Sequence, residues 1–414
     1  MRLGVFSFMV CGGGCVASTV FAGDWEHSDD FELGYQGSYV FEARTLSRNR
    51  PYASAAHRTS VYSEESPTRW RLDASLRGWV DVRGDLENEV QPELDVRELS
   101  LSRADDYTDI RLGLQQIAWG ETFGVPIADV VNPRDLRDPL FLEMDWVRRP
   151  TWTANVQVMV ESLRLQAVAT PLPRNNELPE RGSAYDPFPP VLKGVEVEPQ
   201  REFSLGRFGR DGEYGGRLGY LFDFGLDVGL LYFFHWNRVP VYELAMQGGR
   251  PVVVPFQDRI HTAGITVSMA FEDWVLRGDG VMHGNVPWMT RDLQGTRRID
   301  YLQAIVGVDR TTESGWTLGA QFHIDYRGDR MLTWGSGRIQ KSLWDGDLEP
   351  QIFAYIGVDN TDRWVQPRID WHVLSLWTLS VRADLVWGTT GDRAGDLGFI
   401  DGRHRVMMWT SLRL

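Results

Sequence analysis

Apolar and polar side chains alternate along much of this chain, most clearly near its C-terminal end. Within residues 377–387 one face is entirely apolar: Trp377, Leu379, Val381, Ala383, Leu385 and Trp387. The other face holds Thr378, Ser380, Arg382 and Asp384. A period of two predicts a β-strand, because successive side chains point to opposite faces of a sheet. An apolar face bounded by Trp and opposed by charge is typical of a strand between lipid and water.

The same alternation recurs along the chain. It predicts strands at 31–44, 69–82, 90–103, 110–119, 151–160, 163–170, 214–222, 226–236, 260–271, 274–283, 299–309, 316–326, 331–343, 348–358, 363–373, 377–387 and 403–414. The phase of the strand at 90–103 slips near residues 96–99, which predicts a β-bulge.

The connections between these strands differ sharply in length. Short turns are expected at 104–107, 161–162, 223–225, 272–273, 311–315, 344–347 and 374–376. Long connections are expected at 120–150, 171–211, 237–258, 284–297 and 388–402. Short and long connections alternate along the chain, so they lie at opposite ends of the strands. Short periplasmic turns and long extracellular loops are characteristic of outer-membrane barrels.

Strand parity requires one more strand, within residues 53–62, where the alternation alone is weak. The total is then about 18, an even number as in single-chain bacterial barrels, and 16 is the alternative. The predicted fold is all-β, an antiparallel transmembrane β-barrel formed by residues 23–414. A soluble sandwich or propeller would also alternate. Trp274, Trp316 and Trp377 follow short turns directly, as an interfacial aromatic girdle would place them, and this favours the membrane barrel.

The N-terminal residues 1–22 are typical of a secretory signal peptide. Arg2 precedes a short apolar run, and Ala22 provides a small residue at the expected cleavage position. Both cysteines, Cys11 and Cys15, lie inside this segment, so the mature chain would contain no disulfide. No apolar run after it is long enough for a transmembrane helix.

Composition narrows the possible functions. The formal net charge of −14 disfavours a nucleic-acid partner, which requires a basic surface. The His residues show no ligand spacing, so no metal site and no cofactor are predicted. Lys occurs only at Lys193 and Lys341, and the remaining cations are Arg, which is suited to forked pairing with carboxylates.

Charged side chains on the polar faces are the predicted lining of a lumen. Most form couples two residues apart. The candidates are Arg71, Asp73, Arg77, Asp95, Arg97, Arg277, Asp279, Asp325, Arg327, Arg368, Asp370, Arg382 and Asp384. They would line a polar pore that filters hydrophilic solutes, or they would only neutralise each other inside a filled barrel. Their near balance of sign predicts no strong ion selectivity.

The connection 120–150 is the second candidate site. It is partly apolar over residues 125–131 and then alternates in charge. Its candidate residues are Glu121, Asp129, Asn132, Arg134, Asp135, Arg137 and Asp138. Such a segment would fold into the lumen as a constriction, or it would form a lid on the outer rim.

Part of the chain resembles a known family. Gln115-Gln116, Trp119-Gly120-Glu121 and the stretch 129–135 are similar to the signature of a Gram-negative outer-membrane family known only as a domain of unknown function. The resemblance implies an outer-membrane barrel. For such a barrel the expected partners are outer-membrane lipid, lipopolysaccharide and the barrel-assembly machinery. The resemblance also implies a link to an envelope lipid-transport or export system with an inner-membrane exporter.

Several functions remain open at this point. The charged lumen favours a channel for polar or amphiphilic solutes in the outer membrane of a Gram-negative bacterium. The alternatives are a component of a lipid-transport or export system, a structural scaffold, or a barrel hydrolase. His261 and His283 have hydroxyl or acidic neighbours in sequence, but no G-x-S-x-G nucleophile context is present. The sequence therefore predicts no catalytic residue.

Overall fold

A computed structural model describes residues 24–41, 45–63, 66–83, 89–122, 124, 126–141, 143–188, 195–289, 296–328, 330–389 and 395–414. The predicted signal peptide, residues 1–22, lies outside the described residues. The strands are β1 Asp24–Val40, β2 Thr45–Ser63, β3 Ser66–Arg83, β4 Glu89–Ala104, β5 Thr108–Gln115, β6 Thr151–Val160, β7 Leu163–Leu172, β8 Glu196–Val197, β9 Glu213–Leu221, β10 Leu226–Trp236, β11 Val241–Gln247, β12 Arg250–Phe256, β13 Arg259–Phe271, β14 Trp274–Met289, β15 Thr296–Thr311, β16 Trp316–Arg327, β17 Met331–Lys341, β18 Leu348–Gly357, β19 Arg363–Leu374, β20 Trp377–Trp387 and β21 Arg405–Arg413. Two one-turn helices are α1 Met144–Val147 and α2 Phe208–Asp211.

Eighteen of these strands form one closed antiparallel sheet, and β8, β11 and β12 form a small separate sheet. The last strand closes the barrel on the first, with Arg413 of β21 opposite Glu32 of β1 and Arg405 opposite Val40. The predicted fold class and the count of 18 are therefore confirmed. Closure satisfies the backbone groups that an open sheet edge would expose to lipid. Within the described residues, no helix is long and apolar enough to cross a membrane.

The two faces of each strand separate as the alternation predicted. On β3, Trp70, Leu72 and Leu76 are exposed on the outside, whereas Asp73 and Asp81 are buried inside. The outer face is apolar because lipid contacts it, and the inner face retains the charges.

The strand required by parity is present as β2. It pairs with β1 and with β3 over most of its length. Its hydrophobic pattern is weak because Ala53 and Ala55 stand at outward positions where larger apolar residues usually mark the alternation, and Ala56 is an apolar residue on the inward face. The parity of the barrel was a stronger signal here than side-chain periodicity.

The predicted bulge in β4 is also present. Ser75 of β3 faces Glu98, and Leu76 faces Val96, so Arg97 is the extra residue of the bulge. A bulge re-aims the side chain it contains, and Arg97 turns its guanidinium into the lumen.

Three sequence expectations were wrong in detail. The strand predicted at 110–119 ends at Gln115, because the next residues turn inward. The loop predicted at 284–297 is largely strand, since β14 continues to Met289 after an irregularity in which Asn285 has a φ of 65°. The loop predicted at 237–258 contains the hairpin β11–β12.

We expect a charge on the outer face to be far more costly than one on the inner face. Val306 is 61% exposed near the middle of β15, whereas Gln303 of the same strand faces Asp325 in the lumen. Val306→Arg should lower the free energy of unfolding by about 2–4 kcal/mol, the cost of Arg at mid-bilayer depth. Gln303→Arg is the control and should cost clearly less. Urea unfolding in lipid vesicles measures both, and equal losses would contradict the assignment of the faces.

Candidate functional site

The thirteen predicted lumen residues all lie on inward-facing positions of the barrel. Six are almost inaccessible to solvent: Asp73, Arg97, Asp279, Asp325, Arg382 and Asp384. The thirteen residues belong to β3, β4, β14, β16, β19 and β20, so they surround the lumen rather than meeting at one point. Their role in conduction stays a prediction.

Most of the couples seen in the sequence are ion pairs in the structure. Arg71–Asp73, Arg97–Asp95, Arg327–Asp325 and Arg368–Asp370 have nitrogen–oxygen distances of 2.7–2.9 Å, and Arg382–Asp384 has one of 3.6 Å.

The remaining couple, Arg277 and Asp279, does not form an ion pair. Arg277 instead contacts Asp309 on the neighbouring strand β15. Asp279 accepts hydrogen bonds from the 120–150 connection. Among the thirteen, only Arg77 and Asp279 have no oppositely charged partner within the described residues.

The segment 116–150 lies inside the barrel, and Asn132 holds its entry and exit together. The side-chain oxygen of Asn132 accepts a hydrogen bond from the Ile117 amide at 2.7 Å. Its amide nitrogen donates to the Gln115 carbonyl at 3.2 Å and the Arg149 carbonyl at 2.8 Å. These three bonds explain why β5 ends where it does, since the chain turns towards the lumen directly after it.

The first half of the segment packs against one side of the wall. Trp119 is 1% exposed, meets Phe233 of β10 edge-on and donates to Gln166 of β7 at 2.8 Å. Ala128 and Val131, both fully buried, belong to the same apolar cluster.

Polar contacts then fix the start of this half. Glu121 pairs with Arg217 of β9 at 2.9 Å. Asp279 accepts bonds from the amides of Glu121 and Thr122 and from the Thr122 hydroxyl, the last at 2.8 Å. The unpaired carboxylate of Asp279 therefore binds the segment rather than an Arg.

The second half reaches the opposite wall. Asp138 pairs with Arg405 of β21, the Leu140 carbonyl accepts from Arg382 of β20, and Glu143 pairs with Arg368 of β19. Further along, Arg97 of β4 donates to the carbonyls of Asp145 and Arg148 at 2.5 and 2.7 Å. Segment 116–150 thus crosses the lumen from β9 and β14 to β19–β21 and β4.

The remaining predicted loop residues stabilise the segment itself. Asp129 pairs with Arg148 at 2.7 Å, and Arg134 donates to the carbonyls of Pro126 and Asp129 at 2.8 and 3.3 Å. Asp135 pairs with Arg137 at 2.7 Å.

Arg137 is the centre of an acidic group. It also contacts Glu93 of β4 and Glu177 of the following connection. Burial lowers the pKa of the Arg137 guanidinium, but these carboxylates outweigh burial, so the pKa lies above its ordinary value. Burial raises the pKa of Glu177, and Arg137 and Arg149 oppose this only in part. Arg137 therefore stays charged and ties the two long connections to the wall.

Three polar anchors of segment 116–150 were missed by sequence reasoning: Arg217, Glu143 and Arg405. Arg405 is fully buried and bridges Asp384 and Asp138, which are distant in the sequence. Its inward position on β21 was a usable signal, since Val406 and Met408 face outward. Its partners on the segment could not be found, because nothing in the sequence specifies how a loop crosses a barrel.

Two polar cavities adjoin the charged half of segment 116–150. One, of about 330 Å³, lies between this half, the β2–β4 wall and the connection that contains Arg174 and Glu177. The other, of about 600 Å³, opens towards the short-turn end and includes Ser375 and Leu376.

Arg77 and Trp146 line both of these cavities. The Arg77 guanidinium lies over the Trp146 ring, 3.8 Å from its centre. Among the described residues Arg77 has no carboxylate at ion-pair distance; it donates to the Asp145 carbonyl at 3.4 Å, and its buried Nε has no partner.

Removal of the Arg405 guanidinium should strongly destabilise the barrel. Arg405→Met leaves the carboxylates of Asp384 and Asp138 buried without their main partner, at a cost of about 3–5 kcal/mol. Arg413→Met on the same strand is the control, because Arg413 is 68% exposed beside Asp30 and Glu32; its effect should stay within about 1 kcal/mol. Urea midpoints in vesicles test this, and similar midpoints for the two variants would contradict it.

The barrel is similar in fold to several solved outer-membrane channels. Acinetobacter baumannii OccAB1 matches with a TM-score of 0.59 at 9% identity, over 96% of this chain and 99% of that chain. Pseudomonas aeruginosa OccK1 (OpdK) matches with a TM-score of 0.57 at 10% identity, over 94% of this chain and 98% of that chain. The chain is therefore a porin-like barrel of the outer-membrane type.

Sequence comparison adds the family. No curated protein matches the chain significantly. Residues 99–408 match a family whose members share the description "Protein of unknown function (DUF1302)". This match spans more than half of the sequence and includes the Trp119-Gly120-Glu121 motif and the strands that follow it. The chain belongs to this DUF1302 family.

Proposed function

We propose that this protein is an outer-membrane channel of a Gram-negative bacterium for polar or small amphiphilic solutes. The proposal rests on one observation: Arg77 and Trp146 line both polar cavities, so the two cavities meet at these residues. A solute would enter between the long connections, pass along the β2–β4 wall and leave at the short-turn end. The similarity to porin-like barrels supports a transport role for a barrel of this size.

The narrowest part of this path would be the Arg77–Trp146 contact. Trp146 is held firmly, since it packs edge-on against Tyr52 and Trp409 with ring centres 4.9 and 5.6 Å apart. Among the described residues, Arg77 is held only by the ring and by one long hydrogen bond. The flexible arginine is therefore the part that would move aside when a solute passes.

Arg77 lies where the two cavities meet, so its charge acts on every ion that would pass. The other predicted lining charges near it are paired, so their fields largely cancel at the distance of a passing solute. An unpaired guanidinium in a narrow, partly desolvated site attracts anions and repels cations. We therefore expect weak overall selectivity, with Arg77 as the local exception.

Single-channel recording in planar bilayers tests the path. The wild-type protein should conduct, and Trp146→Ala should raise the conductance because the fixed side of the constriction is removed. If neither protein conducts, the channel proposal fails. An inner-membrane exporter as partner stays a prediction; co-purified lipid in non-conducting protein would instead support the lipid-transport alternative.

Reversal of the charge at the constriction should reverse its preference. Two unit charges about 4 Å apart in water interact by about 1 kcal/mol, and charge reversal changes the energies of a passing anion and a passing cation in opposite directions, so Arg77→Glu should lower the anion-to-cation permeability ratio at least about tenfold. Arg164→Glu is the control: it removes a half-exposed Arg that pairs with Asp227 and lines neither cavity. Reversal potentials in a salt gradient measure the ratio. The same ratio in both variants would show that ions do not pass Arg77.

A further inference from the structure

A third cavity, of about 630 Å³, lies beside the apolar half of segment 116–150. It is bounded by Ile127 and Val130 of this segment and by Ile260, Val286, Trp288 and Tyr301 of the barrel wall. It lies near the long-connection end, where the base of the β11–β12 hairpin covers it. It shares no lining residue with either polar cavity. The interior of this charged barrel therefore includes one compartment of a different chemical character.

The polar groups on the wall of this cavity bond to the barrel itself. His235 and His283 both contact the Thr262 hydroxyl, at 2.8 and 2.7 Å. The Tyr301 hydroxyl donates to Asp325 at 2.7 Å, and the Tyr301 ring stacks on His283. With these donors and acceptors occupied, the wall offers mainly ring faces and aliphatic surface. Such a wall favours an apolar body over water.

Among the described charged residues around the cavity, one cation, Arg134, has no carboxylate partner. Arg238 pairs with Glu213 at 2.7 Å, and Asp129 pairs with Arg148 at the same distance. The guanidinium of Arg134 instead bonds to two backbone carbonyls through a single nitrogen, Nη2. Among the described residues no carboxylate lies at ion-pair distance from Arg134, and its Nε and Nη1 have no hydrogen-bond partner. Arg134 lines the cavity.

We propose that this cavity is a binding site for an amphiphilic organic anion. The apolar body of the ligand would lie against Ile260, Val286 and Trp288, and its carboxylate would accept a hydrogen bond from Nη1 of Arg134. A hydrogen bond between a guanidinium and a carboxylate is charge-assisted and about twice as strong as one between neutral groups. The volume lies within the usual range for sites that enclose small organic molecules, roughly 300–1,000 Å³. This site is independent of the proposed polar path, so either can fail while the other holds.

The test uses the full-length mature protein in detergent-free lipid nanodiscs, because detergents are themselves amphiphiles. Calorimetric titration with naphthoate, an apolar ring system with one carboxylate, should show saturable binding. Arg134→Gln should weaken naphthoate binding about tenfold or more, the value of a lost charge-assisted pair. The uncharged analogue naphthalenemethanol should bind both proteins equally.

Three further variants separate recognition from folding. Arg134→Lys retains the charge and should keep most of the affinity, even if the turn that Arg134 supports is altered. Val286→Trp fills the cavity and should weaken both ligands, whereas Arg77→Gln in the polar path should change neither. Absence of naphthoate binding to the wild type overturns the proposal. The proposal is also overturned if either Arg134→Gln or Val286→Trp binds naphthoate as tightly as the wild type does.

Discussion

A closed barrel of eighteen strands satisfies its backbone in lipid, but it encloses more space than its own inward side chains can fill. Small barrels are filled by their side chains, whereas barrels of 16–18 strands leave a channel. The lumen volume that the side chains leave unfilled determines the rest of the structure. It makes room for segment 116–150, and it requires the inward charges to find partners at the low effective dielectric of a partly filled lumen.

Pairing of the lumen charges decides how segment 116–150 is held. Most inward Arg and Asp residues neutralise each other along a strand or between neighbouring strands. Several of the paired Arg residues also contact the segment: Arg97 donates to two of its backbone carbonyls, Arg368 pairs with Glu143, and Arg382 donates to the Leu140 carbonyl. Asp279 binds its first residues through their amides and a hydroxyl, and Arg405 uses a second carboxylate, Asp138, to fix its centre. The wall therefore holds the segment by the hydrogen-bonding capacity that remains after the strands have paired their charges.

The strands could be predicted from the sequence, but the path of the segment could not. Side chains at alternate positions must face opposite sides, so the faces of β3 and β20 follow from the residues alone. Strand parity even located β2, whose own alternation is weak. The partners of Arg405 depend on how a loop of some thirty residues crosses the lumen, and no short-range pattern encodes that path. The sequence motif marked the correct segment, yet the wall residues Arg217 and Arg405 lie on strands distant from it, and Glu143 lies later in the segment than the residues that the motif marked.

The composition of the segment explains why the lumen is divided into chemically different compartments. Its first half is largely apolar around Ile127 and Val130, and it faces the wall that forms the 630 Å³ cavity. Its second half alternates in charge from Asp135 onwards, and it faces the walls of the two polar cavities. The same strands would accept other sequences in either half, because the anchors Asp279 and Arg405 line none of the three cavities. Within one barrel scaffold, substitutions in the first half can therefore change the apolar compartment without changing the polar path.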